Sequence, residues 1–156
     1  MAKVKKMFLL GLMALVPAAC SEQQAGTGQE REGAQTILRQ VDFAQVSRGG
    51  VLFAKHCAEC HGDNAQGAVN WRQRDAEGMF PPPPLNGTGH AWHHPQSTLF
   101  DVIKEGSPVG MGRMPAWKGR LSDEEITAII AWFQSRWTDE VFAAWYQTDQ
   151  RAKAGL

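Results

Sequence analysis

Cys57-Ala58-Glu59-Cys60-His61 is the stretch on which the reading of this chain turns. Two thiols separated by two residues, with an imidazole directly after, make the pattern C-x-x-C-H. Each thiol can add across one vinyl group of a haem, and the histidine is then held beneath the iron as its proximal ligand. Two other chemistries use closely spaced cysteines. A thioredoxin-like redox pair needs the motif after a strand in a βαβ context, whereas the residues around Cys57 read as helical. A zinc site needs further ligands, and the third and last cysteine of the chain is distant, at Cys20. The spacing favours one covalently attached haem c per chain, with its iron on His61.

The rest of the composition agrees with a small globular carrier of such a group. At 156 residues, with 43% hydrophobic and 21% charged, the chain has room for one ordinary core. Sixteen basic and sixteen acidic side chains balance, which argues against a nucleic-acid binder. Three cysteines are too few, and an odd number, for a disulfide framework.

From about Gln45 to Trp137 the sequence resembles a class I c-type cytochrome. The resemblance implies an all-α fold, three to five helices around one covalently bound haem. Gly49 and Phe53, four residues apart ahead of the first cysteine, match the glycine and aromatic of that family's first helix. Trp132 is similar to the aromatic at which the last helix crosses the first. The implied crossing sets Gly49 and Phe53 against Trp132 and Ile129. Ser122-Asp123-Glu124-Glu125 opens that last helix as a capping box, and Ile126, Ile129, Ile130 and Phe133 follow at helical spacing. An earlier helix is expected over roughly 97–105, with Leu99, Val102 and Ile103 inward.

Pro81-Pro82-Pro83-Pro84-Leu85-Asn86-Gly87 contains P-x-L-x-G. In the family this loop passes the proximal histidine, and by position the carbonyl of Pro83 would accept its ring N–H. Such a bond fixes the tautomer and raises ligand basicity. The iron's sixth position has several candidates: Met79, Met111, Met114, His90, His93 and His94. Met114-Pro115-Ala116-Trp117 resembles the family's distal Met-Pro loop and makes Met114 the expected ligand, with Met111 its nearest rival. His56 is expected to be exposed and not to ligate. Methionine opposite histidine favours ferrous iron and leaves no coordination site for a substrate, so an electron-transfer protein is expected, not an enzyme, and no small-molecule substrate.

Two loops stay open at this stage. His90, His93 and His94 could contact haem propionates, aided by the Trp92 indole, could face solvent, or could bind copper or zinc. Trp71-Arg72-Gln73-Arg74 could cover a haem edge and balance a propionate.

The chain ends carry their own signals. Lys3, Lys5 and Lys6 precede the apolar run Met7–Val16, and small residues lead to Cys20. Residues 1–19 read as an export signal, too short to span a bilayer. Val16-Pro17-Ala18-Ala19-Cys20-Ser21 resembles a lipoprotein lipobox, which makes Cys20 the expected lipidation site. Removing residues 1–19 takes three lysines and no acid, leaving 13 basic against 16 acidic groups, net −3. Residues 20–40 read as a flexible tether, 41–137 as the cytochrome c domain and 138–156 as a C-terminal helical extension. The protein is expected in the bacterial periplasm, anchored by its N-terminal lipid and exchanging electrons with respiratory complexes or a terminal oxidase. The second reading is a haem-bearing subunit of a larger oxidase or dehydrogenase.

Overall fold

A computed structural model describes residues 39–156. The export signal, Cys20 and most of the tether lie outside the described residues. Within them the chain forms five α-helices and one 3-10 turn, with no strand. The helices are α1 (Phe43–His56), α2 (Ala58–His61), α3 (Gln96–Glu105), α4 (Asp123–Gln134) and α5 (Asp139–Lys153); the 3-10 turn spans Ala91–His93. This is the all-α architecture expected.

Local chemistry sets most helix starts. Asp42 opens α1 by accepting from the Ala44 and Gln45 amides, both at 3.0 Å. Ser122 and Glu125 close the capping box of α4, at 3.2 Å and 2.8 Å. Thr138 caps α5 through the Val141 amide at 3.3 Å. The start of α3 differs, because Pro95 stands at its cap and has no side chain to offer. Its Gln96 amide donates instead to Asp149 Oδ1 of α5, at 2.9 Å. Asp149 is buried and its other oxygen pairs with Lys153 at 2.7 Å.

The core lies between α1 and α4. Phe53, Ile126, Ile129, Ile130 and Phe133 are fully buried there. Phe53 and Trp132 meet with ring centroids 4.2 Å apart. At Gly49 the partner is backbone: an added Cβ would stand 1.9 Å from the Ala128 carbonyl oxygen and 3.0 Å from Trp132 Cβ. The expected crossing therefore forms, with Ala128 as the surface that Gly49 meets. This is where the chain needs a residue with no side chain, since packed helices cannot absorb such an overlap without separating.

Residues 138–156 are bound into the body. Trp145 of α5 donates its indole N–H to the His94 carbonyl at 3.1 Å. Trp137 and Trp145 stack edge to face at 5.9 Å. The Arg39 guanidinium crosses to the Gln134 and Trp137 carbonyls at the end of α4 and lies 4.4 Å over the Phe142 ring. The helical extension expected over 138–156 is α5, which runs to Lys153, and its buried residues, Trp145 and Asp149, lie in its second half.

Two outcomes follow from this packing. Gly49→Ala should destabilise the haem-bearing protein by about 2 kcal/mol or more in denaturant titration, while a surface Ala54→Gly control costs about 1 kcal/mol. Asp149→Ala should cost about 2 kcal/mol, because it strips the cap from α3 and the partner from Lys153; Asp149→Asn, which keeps an acceptor, should cost less.

Candidate haem-binding site

The site begins where α1 ends. The Cys57 amide closes α1 on the Phe53 carbonyl at 2.8 Å, and its own carbonyl accepts from the His61 amide at 2.9 Å. One helical turn thus carries Cys57, Cys60 and His61 together. They differ in exposure: His61 is buried, Cys57 half-buried and Cys60 exposed. Both cysteines are free thiols. Burial, with a smaller contribution from Cys60, pushes the Cys57 thiol up to about 11. A redox-active pair of the thioredoxin kind needs the opposite shift, toward the thiolate.

His61 is held by the proline run. Its Nδ1–H donates to the Pro83 carbonyl at 3.0 Å, the tautomer following from the acceptor it faces. Burial lowers the pKa of His61, and the Pro83 bond partly opposes that. The ring is therefore neutral near pH 7, with Nε2 left as a free donor to a metal.

The proline run is itself positioned by neighbours that the sequence does not advertise. Ala68 N–H donates to the Pro82 carbonyl at 2.9 Å. The Leu85 and Asn86 amides both donate to the Ala65 carbonyl, at 2.8 and 3.2 Å. Ala65 pays for that position with φ of 54°, a left-handed conformation rare outside glycine. Gly67, at φ 66°, lets Pro82–Pro84 pass so close that an added Cβ would meet the Pro84 nitrogen at 2.4 Å. On the other side the Trp137 indole donates to the Leu85 carbonyl at 2.7 Å. Ala65, Gly67, Ala68 and Trp137, which hold the run from outside, carried no signal in the sequence.

The methionines separate by burial. Met114 is half-buried and packs against the core, whereas Met111 is 50% exposed. Met79 is half-buried but belongs to a tight turn, with its amide on Asp75 Oδ1 at 2.9 Å. The Met114 backbone is tied on both sides of the chain to Ser107: its amide donates to Ser107 Oγ at 3.2 Å and its carbonyl accepts from the Ser107 amide at 3.0 Å.

Several sequence readings change here. His56 is half-buried, not exposed, with its ring edge-on to Trp117 at 5.1 Å. His90, His93 and His94 do not converge. His90 stacks on Trp71 and meets His94 edge-on, while His93 stacks on Trp92 at 3.7 Å. No group of three His, Cys, Asp or Glu side chains among the described residues is arranged to hold a metal ion. The Trp92 indole N–H, expected to reach a propionate, donates to the Gly89 carbonyl at 3.0 Å. Arg72 lies over Trp71, and Arg74 donates to the Gly78 carbonyl of its own loop and to the Gly110 carbonyl of the loop that leads to Met114.

The donor set fits a haem c. A buried imidazole has one nitrogen committed and one available, two free cysteines share its helical turn, and the Met114 thioether lies on the packed core of the same domain.

The comparisons agree with that chemistry. The family described as "Cytochrome C oxidase, cbb3-type, subunit III" matches residues 44–133. A cbb3-type cytochrome c oxidase subunit CcoP of Azospirillum sp. (strain B510) is 32% identical over 91 residues, 58% of this chain and 28% of that protein. A thiosulfate dehydrogenase of Stutzerimonas stutzeri (strain A1501) is 32% identical over 117 residues, 71% of this chain and 34% of that protein. The chain thus spans about a third of the length of these curated relatives. The crystal structure of cytochrome CL from the marine methylotroph Methylophaga aminisulfidivorans MPT aligns at a TM-score of 0.45 and 22% identity, over 81% of this chain and 83% of that one. With residues 44–133 spanning α1 to α4 and enclosing the whole Cys57–Met114 set, the chain belongs to the cbb3-type cytochrome c oxidase subunit III family and is a class I c-type cytochrome.

Proposed function

We propose that this protein carries single electrons through one covalent haem c on the periplasmic side of a bacterial membrane. The observation that carries the proposal is the His61–Pro83 hydrogen bond: a buried ring with its Nδ1 committed to a backbone carbonyl is prepared to ligate through Nε2. Cys57 and Cys60 form the two thioether links, His61 is the proximal ligand and Met114 the distal one. When bound, the haem supplies a one-electron iron couple. The protein's residues would hold it still, and the burial of His61 keeps water from that ring. Ligands that stay in place in both oxidation states keep the rearrangement on electron transfer small. Ligation by both His61 and Met114 would leave the metal no site for a substrate, which favours a carrier over an enzyme.

Residues 1–19 serve as the export signal, Cys20 takes the lipid, and the tether runs from there up to Arg39, which the structure fastens to the domain and so removes from the expected 20–40 tether. Lipid anchoring raises the concentration of the carrier near membrane partners. The names of the relatives favour a terminal oxidase as a partner. They also favour a second reading, a resident subunit of an oxidase or dehydrogenase. Gel filtration of the mature haem protein separates the two. A monomer that reduces or oxidises its partner in solution supports the carrier, and co-elution with a stable complex from membranes supports the subunit.

The ligand assignments have direct spectroscopic outcomes. Oxidised protein should show the weak far-red charge-transfer band of a methionine–iron(III) bond. Met114→Ala should abolish it while Met111→Ala leaves it in place. Cys57→Ala with Cys60→Ala should leave no haem on the chain after denaturing electrophoresis. A band that survives Met114→Ala would remove Met114 from the iron.

A further inference from the structure

The longer loop between the attachment motif and the proline run has a contact that its composition does not suggest. Residues 75–79 form a closed turn: the Asp75 amide donates to the Met79 carbonyl at 2.9 Å, and the Gly78 amide to the Asp75 carbonyl at 3.0 Å. Asp75 Oδ1 accepts from the Glu77 and Met79 amides at 3.1 and 2.9 Å. This leaves Oδ2 facing outward on a carboxylate that cannot rotate away. The second loop, 106–114, ends on Met114 and is closed on its inner side by the paired bonds with Ser107.

Two arginines cross between these loops in opposite directions. Arg113, adjacent to Met114, reaches Asp75 Oδ2 with one guanidinium nitrogen and Glu77 Oε2 with the other, the latter at 3.1 Å. Arg74 reaches back to the Gly110 carbonyl at 2.8 Å, and its guanidinium lies 4.2 Å over the Phe80 ring. Between them the Phe80 amide donates to the Met111 carbonyl at 3.3 Å. The methionine loop is thus gripped from outside at 110, 111 and 113, while Ser107 grips it from inside.

We propose that Arg74 and Arg113 form a crossed clasp that holds the Met114 loop shut and so sets how readily Met114 is displaced by a competing ligand. The proposal rests on the reading of Met114 as the distal ligand. A single exposed ion pair contributes little to stability. Here, however, the pair is fastened to a prebuilt turn and acts on the residue next to the ligand. Its effect belongs to the local opening of one loop and not to the unfolding of the whole. Arg74 and Arg113 are therefore positioning residues, with no part in binding the haem themselves.

The test titrates the oxidised holoprotein with imidazole and follows loss of the far-red band. Arg113→Ala should tighten imidazole binding about three- to tenfold, as a loop that opens more often admits the competitor more often. Asp75→Asn keeps the acceptor that caps the turn but loses the charge; it should act in the same direction. The double variant should go no further than Arg113→Ala alone, because Arg113→Ala already removes the Asp75 contact along with the Glu77 one. The denaturation midpoint should move little. Imidazole affinity unchanged in both single variants, additive effects in the double, or a lowered midpoint without tighter imidazole binding would each overturn the clasp. The two readings fail separately. A far-red band that persists in Met114→Ala overturns the ligand assignment and the clasp with it, whereas a wild-type band lost in Met114→Ala together with unaltered imidazole binding in Arg113→Ala overturns the clasp alone.

Discussion

A buried imidazole must give its Nδ1 proton to some acceptor, and in this protein the acceptor is the carbonyl of Pro83. Much of the surrounding structure exists to keep that carbonyl in place. Proline has no N–H of its own to donate, so the run around it is fixed from neighbouring segments: Ala68 on the Pro82 carbonyl, Ala65 under Leu85 and Asn86, Trp137 on the Leu85 carbonyl. The strained backbone at Ala65 and the close approach at Gly67 are costs accepted for the same end. Loosening any of these would turn the ring before it unfolded the domain.

Much of the scaffold was legible in the sequence. The capping box of Ser122 and Glu125 and the isoleucines after it define α4 by local rules alone. The C-x-x-C-H turn and the P-x-L-x-G run have fixed spacings, so Cys57, Cys60, His61 and Pro83 could be named from position and are found together. What could not be read depends on contacts between distant residues. Nothing in the spacing of Asp149 says that it caps a helix more than fifty positions earlier in the chain; that follows from Pro95 leaving the α3 start without a side-chain acceptor. The arginines near Trp71 suggested a charge for a propionate, and nothing in the spacing hinted that Arg74 also binds the Gly78 and Gly110 carbonyls. Three histidines in five positions left a metal site open as one reading, but His93 stacks on Trp92, apart from the edge-on pair His90 and His94.

The tryptophans show how far one residue type can serve different ends. Trp132 fills the helix crossing, Trp137 steadies the proline run, and Trp145 fastens α5 to the backbone ahead of α3. Each of the last two spends its single N–H on a carbonyl that has no partner in a regular helix. A flat side chain with one donor suits that purpose, since it buries a large apolar face and satisfies a loop carbonyl at the same time.

The contact between Gly49 and Ala128 also bears on the order in which the protein is made. Synthesis runs from the N-terminus, so α1 and the attachment motif emerge while α4, which begins at Asp123, does not yet exist. During that interval α1 has nothing to cross, and Cys57 stands in water with the reactivity of an ordinary thiol. In the folded domain the same sulfur is half-buried, and burial makes it harder to ionise. The folded chain therefore presents its first attachment cysteine in a less reactive setting than the open chain does.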